Sequence, residues 1–320
     1  MTVFLARRLA TLLLTLLAAS LLVFAVLEIL PGNAAQLLMG PDAAPEAVAA
    51  LAEKLGLNQP AWQRYGHWLL GLLRLDLGLS YAYDSPVAEL IAERLALTVP
   101  LALLAMALTT AIALSTGLYA AARHGRPGDM GVMLLSQLGI AVPSFWFAIL
   151  LILLFSVKLQ WIPAGGFPGW REDQGGGLWP GLQALILPAL ALAVVQAAIL
   201  ARITRSAMLE VLREDFMRTA RAKGLSPRQA LWGHGLRNAM IPVLTVMGLQ
   251  FANLLAGTIV VENVFYLPGL GRLTFQSIAN RDLIVVRNCV LLLAVMVILV
   301  NFVVDVLYAW IDPRIKTTEL

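Results

Sequence analysis

Residues 217–242 read MRTARAKGLSPRQALWGHGLRNAMIP, a basic segment inside a very apolar chain. Glycine suits the left-handed conformation that closes many helices, so Gly224 marks a helix end onto which the apolar Leu225 can fold back. Apolar residues before it recur at spacings of three and four, which predicts one helix with a single apolar face. These residues are Leu209, Leu212, Phe216 and Ala220.

A second helix is expected directly after this turn. Ser226 can cap it, Pro227 suits its first position, and Gln229 completes a capping box three residues beyond the cap. Both helices run within a few residues into apolar spans, which leaves no globular domain to present a DNA-recognition helix. We therefore expect a rigid helix, turn and helix with no nucleic-acid partner. A plain basic loop whose charges only set topology is the alternative.

The composition is that of an integral membrane protein. The 320 residues are 60% hydrophobic and 13% charged, with a mean hydropathy of +0.81, whereas about a quarter of residues are charged in soluble domains. The one cysteine, Cys289, excludes an internal disulfide framework. The chain is therefore expected to lie in lipid as an all-α protein.

Six apolar stretches are long enough to cross a hydrocarbon core. The first is longer than the apolar part of a secretory leader, so we expect an uncleaved helix. Pro143 and Pro188 interrupt the third and fourth stretches. The six expected spans are residues 9–30, 100–121, 132–157, 182–200, 240–260 and 284–310.

The placement of Lys and Arg predicts the orientation. With a cytosolic N-terminus, 14 of the 23 basic residues fall inside and nine outside, four of the nine in a long first loop where the bias is weak. Both termini and the basic segment are therefore expected in the cytosol. The inside set is Arg7, Arg8, Arg123, Arg126, Arg202, Arg205, Arg213, Arg218, Arg221, Lys223, Arg228, Arg237, Arg314 and Lys316.

The expected domains follow from these spans. They are residues 1–30 with the first span, an extracytoplasmic helical insertion at 31–97, and a five-helix core at 98–320 with a cytoplasmic loop at about 206–238. Within the insertion, a helix is expected from Pro45 to Leu55, ending at Gly56. Another is expected from Pro60 to Leu73, with aromatic residues that suit a membrane interface.

Residues 262–282, between the fifth and sixth spans, are rich in Gly and Pro, and Pro268-Gly269 is a turn signal. From these residues alone, the segment is interpreted as a re-entrant loop that seals the outer face. No phosphate-binding G-x-x-x-x-G-K-[ST] loop appears anywhere in the chain, so we expect no bound ATP. A secondary transporter driven by an ion gradient is the alternative function, although its spans would usually carry ionisable residues.

Two stretches resemble a known family. Thr219-Ala-Arg-Ala-Lys-Gly224, followed by His234-x-Leu-Arg-Asn238, resembles the cytoplasmic coupling loop of ABC-transporter permeases in the dipeptide, oligopeptide and nickel branch. Arg218 stands where the general loop pattern has Glu, and Arg237 where it has Pro. The 262–282 segment is similar to the same branch, and the likeness covers nearly the whole chain.

This resemblance implies the type I permease fold of ABC importers in a bacterial cytoplasmic membrane, and import of peptides, glutathione or a nickel chelate. It implies a non-catalytic subunit that works with a second homologous permease, two ATPases that bind ATP and Mg²⁺, and an extracytoplasmic substrate-binding protein. The residues it implies for contact with the ATPase are Thr219, Ala220, Arg221, Lys223, Gly224, Leu225, Ser226, His234 and Arg237. Those it implies for the gate or binding-protein docking are Glu262, Phe265, Pro268, Gly269, Gly271, Arg281 and Asp282.

Overall fold

A computed structural model describes residues 2–29, 34–40, 43–54 and 56–311. Within these residues the protein is helical apart from turns, loops and one isolated β-bridge between Leu79 and Pro86. The all-α fold expected from the sequence is therefore confirmed.

The described residues form thirteen α-helices in chain order. They are α1 (Thr2–Ile29), α2 (Ala34–Met39), α3 (Pro45–Lys54), α4 (Ala61–Arg74), α5 (Val87–Ala122), α6 (Pro127–Ala141), α7 (Ser144–Leu151), α8 (Leu178–Val211), α9 (Asp215–Ala222), α10 (Pro227–Ala230), α11 (Leu236–Val264), α12 (Leu270–Ala279) and α13 (Leu283–Ile311). Wider π-helical turns extend α7 over Ile152–Lys158 and join α10 to α11 over Leu231–Gly235.

Five helical stretches of the described chain are long and apolar enough to cross a membrane, and a bent pair makes up to six. The bent pair is α6 with α7 and its π-helical extension, which meet at 102°. Pro143 explains the bend, because a residue before proline is driven out of the helical region, and Val142 is extended at φ −88° and ψ 122°. The interruption expected at Pro143 in the third span is therefore confirmed.

Proline has a different effect in α8. Pro188 lies inside this 34-residue helix without interrupting it, so the expected interruption of the fourth span is wrong. Neighbouring helices can satisfy the backbone groups that such a proline frees in a membrane protein. At 1.5 Å per residue, α8 is about 51 Å long, whereas a hydrocarbon core is about 30 Å thick. Its ends therefore extend beyond the lipid.

The chain divides into two compact units, and the larger contains residues 99–267. Its core is built around α8, against which α6, α7 and α11 pack. A stripe of buried alanines four residues apart runs along α8, and such small side chains let membrane helices approach closely. The stripe consists of Ala189, Ala193, Ala197 and Ala201.

The other unit contains residues 6–98 and 268–298. Here Phe24 of α1 contacts Tyr65 and Trp68 of α4, with ring centroids 5.3 and 6.1 Å apart. The indole Nε1 of Trp68 donates to Asn288 Oδ1 of α13 at 3.1 Å, and Arg64 pairs with Glu28. The aromatic residues of α4 thus face other helices, in addition to the interface role expected for them.

Candidate coupling turn and the 262–282 segment

The basic turn, residues 215–235, begins with a break that the apolar spacing did not predict. The helix expected from Leu209 to Ala220 is wrong as one continuous helix, because α8 ends at Val211 and α9 starts at Asp215. Acidic residues favour a helix start, and Glu214 is the N-cap of α9 with Asp215 in its first turn.

The break changes which side chains are buried. Met217 and Ala220 are 2% and 7% exposed, whereas Phe216 is 40% exposed. The apolar face of α9 therefore contains Met217 in place of the expected Phe216. The spacing of three and four residues holds only within one continuous helix. An apolar face extended from α8 into α9 across the break is therefore misplaced.

The helix end expected at Gly224 is confirmed. Gly224 has a φ of +93°, its N–H donates to Arg221 at 3.0 Å, and the N–H of Leu225 donates to Ala220 at 3.3 Å. These two bonds define a Schellman motif. Leu225 packs onto the small buried cluster of Met217, Ala220 and Ala230, as the sequence predicted.

The capping box after this turn is also confirmed. The N–H of Ser226 donates to Gln229 Oε1 at 2.9 Å, and the N–H of Gln229 donates to Ser226 Oγ at 3.3 Å. Helix α10 then continues through the π-helical turn into α11. The backbone from Pro227 to the end of α11 is therefore helical throughout.

Most of the predicted coupling residues are accessible. Ala220 is buried and Leu225 is half-buried, while the exposed members are Thr219, Arg221, Lys223, Gly224, Ser226, His234 and Arg237. Two exposed aromatics, Phe216 and Trp232, lie in the same turn and were missed as surface residues. Exposed aromatic side chains are enriched at protein interfaces, so their residue type was a usable signal.

An open cleft lies between the end of α8 and the start of α9. It has a volume of about 460 Å³. Its lining carries both signs of charge, with Arg213 beside two glutamates and an aspartate, so it suits a polar protein surface better than a single ion. The lining residues are Ser206, Leu209, Glu210, Arg213, Glu214 and Asp215.

A buried ion pair fixes the loop between α5 and α6, and sequence reasoning missed it. Arg205 of α8 donates through Nε to Asp129 Oδ1 at 2.5 Å and through Nη2 to Asp129 Oδ2 at 2.7 Å. The N–H of Gly125 donates to the same carboxylate at 2.9 Å, and His124 Nδ1 lies 3.3 Å from it. The Asp129 side chain is 3% exposed. Only the tertiary fold brings together residues 76 positions apart, so no local pattern signals the pair.

The first part of the 262–282 segment forms the C-terminal end of α11 and the turn that follows it. Glu262 and Phe265 are fully buried, and the N–H of Leu267 donates to the Glu262 carbonyl at 2.8 Å across Tyr266, which has a φ of +53°. The Phe265 carbonyl accepts from Gly166 at 2.9 Å. A Cβ at the neighbouring Gly165 would lie 2.4 Å from that carbonyl oxygen. The close approach of the Phe265 backbone therefore explains why residue 165 is a glycine.

The second part contains helix α12, which its Gly and Pro content did not predict. Gly269 is the N-cap of this helix, and the N–H of Leu270 donates to Thr98 Oγ1 at 2.8 Å. Leu270 and Leu273 pack with Val87 of α5 and Val285 of α13. The segment is therefore anchored at its start by a side chain far away in sequence.

Asp282 ends this segment with a buried carboxylate. It accepts from Ser80 Oγ at 2.6 Å and from the N–H of Ala82 at 3.2 Å, and it caps α13 by accepting from Val285 at 3.2 Å. The preceding Arg281 has a φ of +58°. The N–H groups of Arg281 and Asp282 donate to Ile278 and Ser277, which is again a Schellman motif.

Few of the predicted gate residues are accessible in the described chain. Arg281 is exposed, Pro268 is half-buried, and the buried members are Glu262, Phe265, Gly269, Gly271 and Asp282. The exposed apolar side chains near them are Tyr266, Phe275 and Ile278. The predicted residues thus shape the segment, while others present its surface. Among the described residues, no group of His, Cys, Asp or Glu is placed to hold a metal ion.

Comparison with known proteins covers nearly the full length. The family model described as "Binding-protein-dependent transport system inner membrane component" matches residues 113–317, and the N-terminal membrane-component model of the same systems matches residues 1–102. Among solved structures, an amino acid ABC transporter matches at 19% identity with a TM-score of 0.46, over 71% of this chain and 94% of that one.

Three relatives illustrate the similarity. A di/tripeptide transport system permease of Pseudomonas aeruginosa is 41% identical over 98% of both chains. A dipeptide transport system permease of Alkalihalophilus pseudofirmus is 39% identical over 97% of this chain and 98% of its own. A glutathione transport system permease of Escherichia coli is 43% identical over 97% of both chains.

Proposed function

Because the chain belongs to the family of inner-membrane components of binding-protein-dependent transport systems, we propose that it is the permease subunit of an ATP-driven importer of di- or oligopeptides. Glutathione or a nickel chelate is the variant within the same family. The observation that carries the proposal is the full-length similarity to permeases whose names specify peptides or glutathione. The ion-gradient transporter is not supported by this family.

The basic turn transmits the motion of the ATPase in this proposal. Its exposed residues between Arg221 and Ser226 contact the ATPase, and the exposed aromatics Phe216 and Trp232 add apolar contact area. The bonds of the Schellman motif and of the capping box hold the turn in one shape. A displacement of the turn therefore moves α11 as a rigid body, which is the usual basis of alternating access.

The partners follow from this division of labour. A second homologous permease completes the pathway, two ATPase subunits bind ATP and Mg²⁺, and an extracytoplasmic binding protein delivers the solute. The charge distribution supports an orientation in which both termini and the basic turn face the cytosol of a bacterium. The 262–282 segment then faces outward, where Tyr266, Phe275 and Ile278 are accessible to the binding protein and the buried residues form the gate.

Reconstitution of the complete transporter in vesicles tests the function. We expect uptake of radiolabelled di- and tripeptides that requires ATP and the binding protein, and that persists when ionophores dissipate all ion gradients. This chain purified alone should not hydrolyse ATP. Uptake driven by a gradient without ATP would contradict the proposal, and competition by glutathione or nickel chelates would identify the substrate class.

Cysteine labelling tests the orientation independently. Ser226 and Asn280 are both exposed, so each is replaced by cysteine in a Cys289→Ala background. An impermeant thiol reagent should reach Asn280→Cys from the periplasm and Ser226→Cys only from the cytosol. Labelling of both from one side would refute the proposed topology.

A further inference from the structure

A cavity of about 290 Å³ lies in the unit that contains residues 99–267. It lies where the break between α6 and α7, residues 140–144, faces α8 and α11. Its lining is completed by Leu192, Val195 and Gln196 of α8 and by Asn253 and Gly257 of α11. Gln196 is 18 residues from the start of α8 and 15 from its end, so the cavity lies at the middle of the span.

The break keeps this space open and adds backbone polar groups to a largely apolar lining. Pro143 has no N–H to donate, and Val142 before it is extended. The last carbonyl groups of a helix have no partner within that helix, so the end of α6 offers backbone acceptors. In lipid such groups are tolerated only where protein or a water-filled cavity surrounds them.

The side chain of Gln196 has an unused hydrogen-bonding group. Its Oε1 is buried and has no hydrogen-bond partner, which costs roughly 1–3 kcal/mol for a neutral acceptor. Rotation about the last torsion of a glutamine side chain is soft and exchanges its oxygen and nitrogen. Gln196 can therefore present either a donor or an acceptor to the cavity.

Gln250 shows that a glutamine in this region can find a hydrogen-bond partner within the protein. It is 2% exposed, and its Nε2 donates to the backbone carbonyl of Gln196 at 3.3 Å. It does not line the cavity. Asn253, three residues later on α11, lines the cavity and is exposed. An amide in mid-span is unfavourable against lipid, whereas a polar occupant of the cavity can form hydrogen bonds with it.

We infer that this cavity binds backbone amide groups of a peptide during its passage through the membrane. The inference rests on the proposed function and names the contact within it. A carboxamide donates and accepts, as a peptide bond does, so Gln196 and Asn253 can each form bonds with the main chain of any peptide. The lining carries no charged residue, so it does not select among peptide side chains.

The size of the cavity limits what it can hold. Pockets for small ligands usually have volumes of about 300–1,000 Å³, and this one is at the lower limit. It therefore holds one or two residues of a peptide at a time. A chain longer than that passes through it in steps, which suits a transporter of short peptides with varied side chains.

Replacement of Gln196 by leucine is the first test, in the complete reconstituted transporter. Leucine removes both hydrogen-bonding groups and the unpaired buried oxygen, so the variant should fold and assemble as well as the wild type. We expect the KM for a dipeptide such as Ala-Ala to rise roughly five- to tenfold, as the loss of about one neutral hydrogen bond requires.

Gln250→Leu is the matched control, because it removes a neighbouring amide that does not line the cavity. Its KM for the dipeptide should stay within about twofold of the wild-type value. An unchanged KM in Gln196→Leu, or equal shifts in both variants, would overturn the inference. Loss of the co-purifying second permease in Gln196→Leu without a change in KM would also overturn the inference, because that result would assign the cavity to subunit assembly.

Thiol protection is the second test. Asn253→Cys in the Cys289→Ala background should react with a small water-soluble methanethiosulfonate, and Ala-Ala at saturating concentration should slow the reaction. Leu249→Cys, which is exposed on the same helix outside the cavity, should show no protection. Absence of protection at Asn253→Cys would contradict the inference. A wild-type complex that imports no peptide would refute the proposed function instead, so the two failures are distinguishable.

Discussion

Residues 215–229 and 270–285 fold with the same succession of local structures. Each has a helix, a Schellman motif with a residue at positive φ, and a capped second helix. Gly224 occupies the positive-φ position in the first segment and Arg281 in the second, at φ +93° and +58°. The caps are Ser226 and Asp282. One turn geometry is thus made from two different sets of residues.

The two segments differ in what stabilises the turn. Around Gly224 the bonds connect near neighbours, and a Cβ at Gly224 would meet nothing within 4 Å. Around Arg281 a non-glycine residue adopts the left-handed region, which costs roughly 1–2 kcal/mol. There the Asp282 carboxylate accepts from Ser80 and Ala82, about 200 residues away.

This difference separates a locally encoded turn from one imposed by tertiary contacts. A locally encoded turn keeps its shape when it moves as a body, which suits the proposed contact with an ATPase. A turn fixed by distant partners keeps its shape only while those partners stay in place, which suits an element that changes state in a gate.

The largest expected effect is that of Asp282→Ala. The change leaves the Ser80 hydroxyl and two backbone N–H groups without an acceptor. Bonds to charged groups contribute about 1.5–3 kcal/mol each and a helix cap about 1, so the two bonds and the cap together give an expected loss of about 4–7 kcal/mol. The measurement is thermal unfolding in detergent together with limited proteolysis of residues 79–86.

Asp76→Ala is the control, since the exposed Asp76 accepts only from Gly78 within the same loop. It should change the stability by less than about 1 kcal/mol, as an exposed local bond does. Equal losses in the two variants would show that the second segment does not depend on its distant partners.

Gly224→Val tests the locally encoded turn. A β-branched residue at this φ should introduce about 1–3 kcal/mol of strain or displace the turn. Insertion and folding of the spans should persist, because their backbone bonds are internal. We expect uptake to fall strongly while ATPase subunits bind less or hydrolyse without transport, and Gly224→Asn should be milder. Uptake and ATPase activity in vesicles are the measurements.

Gly233→Val is a matched control in the same turn. Gly233 also has open space around it, but its φ is not positive. Valine has a higher helix propensity than glycine, so the change should not destabilise this helical turn, and uptake should remain. Normal uptake in both valine variants would mean that the turn is only a basic tether.

Disruption of the capping box should have a smaller effect than Gly224→Val. Ser226→Ala removes the acceptor for Gln229, and substitutions of this kind cost about 1 kcal/mol. Gln229→Ala should cost a similar amount, and the double variant less than the sum, because the two bonds are reciprocal. ATPase affinity in a pull-down titration measures the change. Strict additivity would show that the two side chains act separately.

The smallest expected effect has the opposite sign. Arg281→Gly relieves the left-handed strain but increases the freedom of the unfolded chain, so a net stabilisation of under about 1 kcal/mol is expected. If Arg281 contacts the binding protein, stimulation of the ATPase by that protein should fall although stability rises. A loss of stability would show that the arginine side chain itself holds the turn.

The difference between local contacts and distant tertiary contacts also explains which parts of the structure the sequence predicted. The capping box and Gly224 were predictable because their partners lie within five residues. The spans were predictable from their length and apolar composition, and the interruption at Pro143 from the proline itself. The 102° size of that bend and the unbroken helix at Pro188 were not predictable. A proline acts through the neighbours that surround it, and those are known only after folding.

The candidate sites divide in the same way. The residues of the basic turn were predicted from their likeness to a family loop, and the structure places most of them at the surface. Phe216 was misplaced because the apolar spacing was extended across an unseen helix start. The Arg205–Asp129 pair and the Asp282 contacts link residues 76 and about 200 positions apart, and a single sequence contains no signal for such pairs.

The π-helical turn at Leu231–Gly235 sets the angular phase between the basic turn and α11. Such a turn contains one more residue than the α-helical turn it replaces. Removal of one residue there, for example Gly233, would convert it to an α-helical turn and leave the helices on either side in nearly their present orientation, because the wider turn absorbs the extra residue. The same change in a plain α-helical connection would rotate the basic turn by roughly 100° about the axis of α11. The π-helical turn thus accommodates one residue of extra length without changing which side of the basic turn is presented to its partner.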